Sequence, residues 1–397
     1  MGIKKLFTIL NNNDLFKIYP YMNDLIGELN LDKKKLLVGV DGNLFCYKYT
    51  HSYDNMLIGF FNQILKFLSN KIIPLYIFDG GTVIEKENTN IMRYQKKIIS
   101  KYKLEQVENI LEDNECLYDK TNLLLLKKKL EKNSIKINNE NIVSLLELFD
   151  LLNIPYIFSH GEGEYLAVLF NKYNIIDMFL SDDTDPIPAG IHKIIKFYNN
   201  NVYFLETKLI YNKLSVGKKE FCDFCILLGS DYLTLNHGLK PNELLELIKK
   251  YGTIEKIHEN NLIPFISDET FCLIERIRNI YNDADTIEKN FILGKNNEIN
   301  TNVNLLIDHS NVSFYSNIML EFWDELLAIL NITNDNNSND INNLSNNLKY
   351  NIYNFISNKK FNIKNILKYI KNNIKDITDE EITNMIISFD FLNTFGI

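Results

Sequence analysis

At 397 residues and 46% hydrophobic, the chain has ample apolar material for a packed core, as one large domain or two ordinary ones. A formal net charge of −8 and a pI of about 5.4 argue, taken alone, against a nucleic-acid binder with a basic surface. Five cysteines without an even framework point to a reducing compartment, no apolar stretch is long enough to span a membrane, and the run in MGIKKLFTILNNN is too short for a signal peptide, so a soluble intracellular protein is expected.

Apolar runs of strand length occur at 36–40 (LLVGV), 74–78 (PLYIF), 155–158 (PYIF), 177–180 (DMFL) and 193–197 (KIIKF). Between the first two, MLIGFFNQILKFLSN at 56–70 has helical periodicity, and strand, helix, strand predicts a right-handed parallel crossover. Residues 84–149 are charged, strand-poor and helix-prone, and read as helices emerging between two strands. Asn199-Asn200-Asn201 predicts a turn into VYFLE and an antiparallel hairpin edging the sheet. Two more helices are predicted at 218–229 and 241–251, the second opened by Pro241 and stopped by Gly252. Cys222 and Cys225 form a CxxC in an apolar helical run with no second CxxC, and read as core rather than as zinc or redox chemistry. Residues 334–347 (NDNNSNDINNLSNN) predict a flexible low-complexity loop. Residues 348–397 recover helical apolar spacing and predict a helical appendage or packing subdomain without chemistry.

Seven acidic residues stand in five short motifs: VGVDGN (Asp41), YIFDG (Asp79), GEGE (Glu162, Glu164), SDDTD (Asp183, Asp185) and LLGSD (Asp231). Asp41 and Asp79 each end a predicted strand, and in open α/β sheets the carboxyl ends of the strands face the ligand crevice. Glu162 and Glu164 flank Gly163, where an extended turn would point both the same way; a helix N-terminal carboxylate is the blander reading of Glu162. Asp183 and Asp185 repeat the i, i+2 spacing, with an Asx turn before Pro186 as the bland alternative. Asp231 follows an almost wholly apolar helix and calls for a cation or a donor. Convergent carboxylates repel one another unless cations sit among them, and oxygen-only ligands favour Mg²⁺ or Mn²⁺ over zinc. Two such ions about 4 Å apart clamp the attacking and leaving oxygens of an in-line phosphoryl displacement, so no protein nucleophile is needed. Setting the seven acids aside brings the formal charge close to neutral. Lysine runs at Lys33-Lys34-Lys35, Lys96-Lys97 and Lys127-Lys128-Lys129 are then free to form local basic patches, or are solvated faces.

The ordered set VGVDGNLFCY, YIFDGG, GEGEYLAVL, SDDTD and ILLGSDY, with the opening MGIKKL, resembles the flap endonuclease/XPG-type 5′ nuclease family over roughly residues 1–265. The resemblance implies an α/β, PIN-like core: a mostly parallel twisted sheet flanked by helices, with a helical arch and a helix–two-turn–helix DNA-binding motif. It implies a nuclease domain over 1–298, divided into an N-terminal region (1–93), an arch over single-stranded DNA (94–140), an internal region (141–236) and the helix–two-turn–helix (237–265). A divergent region follows over 299–397. By the same resemblance Asp79, Glu162 and Glu164 hold one Mg²⁺, with Asp41 acting through water, and Asp183, Asp185 and Asp231 hold a second, with Glu164 shared and Mn²⁺ as a substitute ion. Tyr47 is assigned to stacking on a substrate base, with core packing as the alternative. Lys86 and Arg93, a heptad apart, are assigned to drawing the scissile phosphate toward the metals. Gly2 is placed near the site.

HGLKPNELLELIKKYG at 237–252 resembles the motif that grips duplex DNA, here through Gly238 and Lys240, but departs from it. Lys240 stands in place of a second glycine, which speaks against a K⁺ site in the loop, and Glu243 should weaken phosphate binding at a helix start otherwise suited to it. Pro186 and Pro188 constrain a loop that is usually freer. Residues 384–397 lack the Gln-led aromatic box of clamp-binding tails, so sliding-clamp binding is not expected.

The expected activity is a Mg²⁺-dependent 5′ flap endonuclease and 5′–3′ exonuclease acting on DNA flaps, nicks or junctions in replication, repair or recombination. Its affinity should come from phosphate contacts and fall with salt. An RNA-directed 5′ exonuclease or PIN-like ribonuclease is one alternative; a non-catalytic junction-binding scaffold is another, against which all seven carboxylates are present. The arginine-poor, Asn-rich composition looks like an AT-rich protist or a large cytoplasmic DNA virus, hence a nuclear or a cytoplasmic replication site.

Overall fold

The computed structural model describes residues 2–29, 36–53, 55–112, 120–293, 303–305, 322–332, 338–358 and 362–373. The strands are β1 (Lys17–Tyr19), β2 (Leu36–Asp41), β3 (Ile72–Phe78), β4 (Gly81–Val83), β5 (Tyr156–Phe158), β6 (Met178–Leu180), β7 (Lys193–Tyr198), β8 (Asn201–Glu206) and β9 (Val303–Leu305). Seven of them form one sheet in the order β1-β8-β7-β6-β2-β3-β5, and β4 pairs with β9 alone. Strands β5, β3, β2, β6 and β7 run parallel, β8 runs antiparallel to them, and β1, antiparallel to β8, returns to their direction. The β2–helix–β3 crossover and the β7–β8 hairpin are the ones the sequence predicts. Asn199 and Asn200 take φ of 48° and 61°, the left-handed pair that a two-residue hairpin turn requires. β8 is not the edge, however: β1 covers it. KIY is too short to carry a period, and pairing supplies what the pattern could not.

The apolar runs are continuous because both faces of the sheet are buried. Leu37, Leu75 and Ile77 face one core, with the Gly163–Lys172, Lys218–Leu228 and Asp268–Ile292 helices. Leu36, Val38, Val40, Tyr76 and Phe78 face the other, with the Gly42–Ser52, Met56–Ser69 and Asn139–Leu151 helices. Cys222 and Cys225 are free thiols in the first core.

The C-terminal region is part of these cores rather than an appendage to them. Leu348, Ile352 and Ile356 of the Ser338–Asn358 helix join the first, and Ile366 and Ile370 of the Ile363–Asn373 helix join the second. Lys349 Nζ meets Asp177 Oδ1 at 2.6 Å, and Ser345 Oγ donates to Tyr173 O at 2.7 Å. The expected loop at 334–347 is therefore corrected from residue 338 onward: Ile341, Leu348 and Ile352, with buried Ser345 between the first two, keep a helical stripe through the asparagines. Residues 334–337, Lys33-Lys34-Lys35 and 384–397, with the clamp-binding question, lie outside the described residues. Among the described residues no helix is long and apolar enough to cross a membrane.

One buried ion pair joins three of the helices. Asp223, 3% exposed, accepts from Arg278 Nε (2.6 Å) and Nη2 (2.7 Å) and from the Ile254 amide (3.1 Å), while Glu255 takes a further guanidinium nitrogen. Removing one partner leaves an uncompensated buried charge. Arg278→Met is expected to cost about 3–5 kcal/mol of unfolding free energy in a urea titration; Lys17→Met, which breaks an exposed pair with Glu28, should cost far less. Equal effects would remove Arg278 from this role.

Candidate active site

Strands β5, β3, β2 and β6 end side by side, and a helix starts just beyond each of β5, β2 and β6. Asp41 closes β2 and caps the Gly42–Ser52 helix: its Oδ1 accepts the Leu44 amide at 2.9 Å and its Oδ2 the Ser181 hydroxyl at 2.8 Å. Asp79 follows β3, accepting Asn43 Nδ2 and the Gly163 amide, both at 2.6 Å. Gly163 opens a helix, so the extended turn expected around it is corrected: Glu162 is the N-cap residue and Glu164 lies in the first turn. GEYLAVLF is a good helical run, and Asp79 rather than Glu162 satisfies its first amide, so Glu162 is left for the site. Asp183 Oδ1 accepts the Thr184 amide (2.6 Å) and the Asp185 amide (3.3 Å), the Asx-turn geometry, ahead of the short Pro186–Ala189 helix. Asp231 follows the Lys218–Leu228 helix through Gly229, whose φ is +89°.

The structure thus brings the predicted acids to one edge of the sheet. Loss of solvation, reinforced by neighbouring carboxylates, pushes Asp41 up to about 7 and Asp79 up to about 8. Burial first, then the Asp183 charge, holds Glu164 and Asp185 well above the carboxylate range. Glu162 Oε1, Glu164 Oε2 and both Asp185 oxygens are buried without a hydrogen-bond partner. Hard oxygen donors with unmet valence fit a divalent cation in kind and number. As they stand, no three potential ligands among the described residues are close enough to hold one ion together. Two cations stand among them.

Lys86 is the first of these, 6% exposed, with Nζ 2.9 Å from Glu162, 3.9 Å from Asp185 and 4.9 Å over the Tyr232 ring. Burial works against its charge, but Glu162, Glu164, Tyr165 and Asp185 together outweigh that and raise its pKa. Arg93 Nη2 meets Asp231 Oδ2 at 2.5 Å, the cation that a carboxylate after an apolar helix calls for. The heptad expectation needs correcting, since Lys86 ends a 3₁₀ turn (Ile84–Lys86) and only Arg93 lies on the Glu87–Glu112 helix. The pair still converges, because Thr89 Oγ1 bonds Asp231 O at 2.5 Å and pins the helix start to the site.

Tyr47 is 36% exposed and carries Lys97 Nζ 4.9 Å over its ring, so it is not core. Gly2 lies against Asp183, with φ +77° and so little room that an added Cβ would sit 1.8 Å from Oδ1. Within the segment expected to form an arch, the Glu87–Glu112 helix packs against the Lys120–Ser134 helix. Lys127 pairs with Glu108 at 2.9 Å, as a solvated helix face would. Gly238 and Lys240 do not hydrogen-bond the acidic cluster. Gly238 has φ +72° with open space around it, and the Lys240 amide donates to Glu243 Oε2 at 2.6 Å, so an internal carboxylate takes the place a phosphate would occupy.

Sequence reasoning passed over Asn43, Ser181, Tyr165 and Tyr232, although each lies within two residues of a chosen acid. Tyr165 and Tyr232 share a buried hydroxyl–hydroxyl hydrogen bond beneath Lys86. It also passed over Asp182, which pairs with Lys48 at 2.9 Å.

Comparison with known proteins bears on this geometry. The XPG N-terminal domain matches residues 1–99 and the XPG I-region matches 153–231, between them covering all seven acids. Flap endonuclease 1 of Neurospora crassa is 25% identical over 275 residues, 65% of this chain and 66% of its own length. Flap endonuclease 1 of Saccharomyces cerevisiae is 27% identical over 209 residues, 51% of each chain. The matches thus span between half and two thirds of these relatives. In fold, the chain is similar to the catalytic core of Rad2 in complex with DNA substrate, with a TM-score of 0.54 at 17% identity over 98% of this chain and 100% of that one. By its two matched regions and the acids they carry, the chain is similar to the XPG-type flap endonucleases, a family whose members use divalent metal ions.

Proposed function

We propose that the chain is a structure-specific 5′ nuclease hydrolysing DNA phosphodiester bonds where duplex meets single strand, as at a 5′ flap. The observation that carries the proposal is the acidic cluster at one sheet edge with Lys86 and Arg93 set among its carboxylates. The matches to the XPG N-terminal domain and I-region, and the likeness to a Rad2 core solved with DNA substrate, support it. Asp79, Glu162 and Glu164 would hold one divalent ion and Asp183, Asp185 and Asp231 a second, with Asp41 acting through water; Mg²⁺ suits the all-oxygen donors and Mn²⁺ can replace it. Ions bound there supply an activated water and a counter-charge for the leaving oxygen.

The chain's own residues do the rest. The Leu44 and Gly163 amides, Ser181 and Asn43 fix the Asp41 and Asp79 carboxylates in place. Lys86 and Arg93 exchange a carboxylate partner for the scissile phosphate and draw it to the acids. Tyr47 offers a ring to a substrate base, a contact of about 1–3 kcal/mol. The paired Glu87–Glu112 and Lys120–Ser134 helices, with Arg93, Lys96, Lys97, Lys101 and Lys103 along the first, follow the single strand. Grip on the duplex at Lys240 is weak, because Glu243 must leave the amide first. Such a substrate places the protein where DNA is replicated or repaired, in a nucleus or at a cytoplasmic viral replication site.

A labelled 5′-flap DNA incubated with Mg²⁺ should be cut by the wild type and not by Asp183→Ala; a matched RNA flap should be cut far more slowly. No metal-dependent cleavage of any flap, nick or junction would sink the proposal. Arg93→Ala should slow single-turnover cleavage by about 10²-fold or more, as loss of a charge-stabilising group does, with Mn²⁺ affinity intact; an unchanged rate removes Arg93 from the site. Mg²⁺ at about 100 times its dissociation constant should raise unfolding free energy by about 2.7 kcal/mol. Asp185→Asn should abolish most of that gain, and an equal thermal shift in both proteins would remove Asp185 from the ligand set.

A further inference from the structure

The turn Ser159-His160-Gly161 delivers Glu162 and Glu164 to the site, and it is held from two sides. On the β3 side, Gly161 O accepts the amides of Gly80 (3.0 Å) and Gly81 (3.2 Å) and the Ser159 hydroxyl (2.6 Å). The approach is so close that a Cβ on Gly80 would lie 1.9 Å from Ser159 O. On the other side stands Glu288, 2% exposed, on the Asp268–Ile292 helix. Its Oε2 accepts the His160 amide and its Oε1 the Gly161 amide, each at 3.1 Å. A carboxylate with both oxygens committed to consecutive backbone amides fixes the direction of a turn as well as its position. The helix is itself tied to the end of the one that Glu162 caps, by the Lys172–Asp285 ion pair and by Lys289 Nζ to Tyr173 Oη at 2.5 Å. Glu288 lies beyond residue 231, where the matched family regions end.

We propose that Glu288 is a positioning residue of the acidic site, holding the 159–161 turn so that Glu162 and Glu164 stand with Asp79 as joint ligands of a divalent ion. The proposal rests on the reading of these carboxylates as an ion site. Gln at 288 would keep one acceptor and set an NH₂ group against the second amide, so the turn would loosen while the helix packing stayed.

The test is Mn²⁺ titration of the full chain, followed by the paramagnetic resonance of free Mn²⁺, at a temperature where circular dichroism shows every protein folded. Wild type, Glu288→Gln and Asp283→Asn are compared; Asp283 shares the helix, is exposed and does not touch the turn. Loss of a partner that orients a ligand typically weakens metal affinity by about 10- to 100-fold, so Glu288→Gln should bind Mn²⁺ at least about tenfold more weakly and Asp283→Asn like wild type. Wild-type affinity in Glu288→Gln, or an equal loss in Asp283→Asn, overturns the role of Glu288 alone. A wild type that binds no Mn²⁺ overturns the ion site itself, and the positioning role with it. Should Glu288→Gln not fold, hydrogen exchange on the wild type decides: the His160 and Gly161 amides should exchange as slowly as those inside β3, and rapid exchange overturns the proposal.

Discussion

The repulsion among carboxylates collected at one edge of a parallel sheet is the constraint on which the rest of this structure depends. Each acid there has an answer built from what the fold places beside it. Asp41 and Asp79 take backbone amides at helix starts, where the helix dipole favours negative charge. Glu162 and Asp231 take Lys86 and Arg93. Asp185 and Glu164 are answered least, with oxygens that meet no donor, and a cation has most to gain beside them. A parallel sheet suits this task because its strand ends and helix starts arrive at one edge with the same polarity. The acidic bulk charge is then no obstacle to a nucleic-acid substrate, since much of it sits where metal ions would offset it.

What was legible in the sequence follows from this arrangement. β2, β3, β5 and β6 are buried on both faces and read as apolar runs, and the acids stand out because they interrupt or end such runs. Asn199-Asn200 announced its turn by residue type alone. What escaped was set by contacts distant in sequence. β1 is three residues long, and β4 finds its partner at residues 303–305. Lys86 looked like a helical neighbour of Arg93, yet its position is fixed by Glu162, Asp185 and the Tyr232 ring. The Glu162 turn was misjudged because its helix is capped from Asp79, just past β3 and more than eighty residues earlier. The Ser338–Asn358 helix was hidden by composition, its asparagines masking a stripe that packing recognises. Glu288 has no motif around it, and only the fold brings it to the turn it holds.

The closure of both cores by residues after 338 has a kinetic meaning. Lys349 and Ser345 bond residues 172 positions earlier, and Ile366 and Ile370 complete the core on the opposite face of the sheet. A ribosome adding about 5–20 residues per second needs roughly 10–30 s to make the chain between such partners. During that interval β6 and the Gly163–Lys172 helix lack their cover, and apolar surface stays open to wrong partners. Contacts of long sequence separation also slow the final closure. The acidic edge is drawn from residues 41–231, but the fold around it closes only once the Ser338–Asn358 and Ile363–Asn373 helices have been synthesised, so the site cannot be fully framed until most of the chain has left the ribosome.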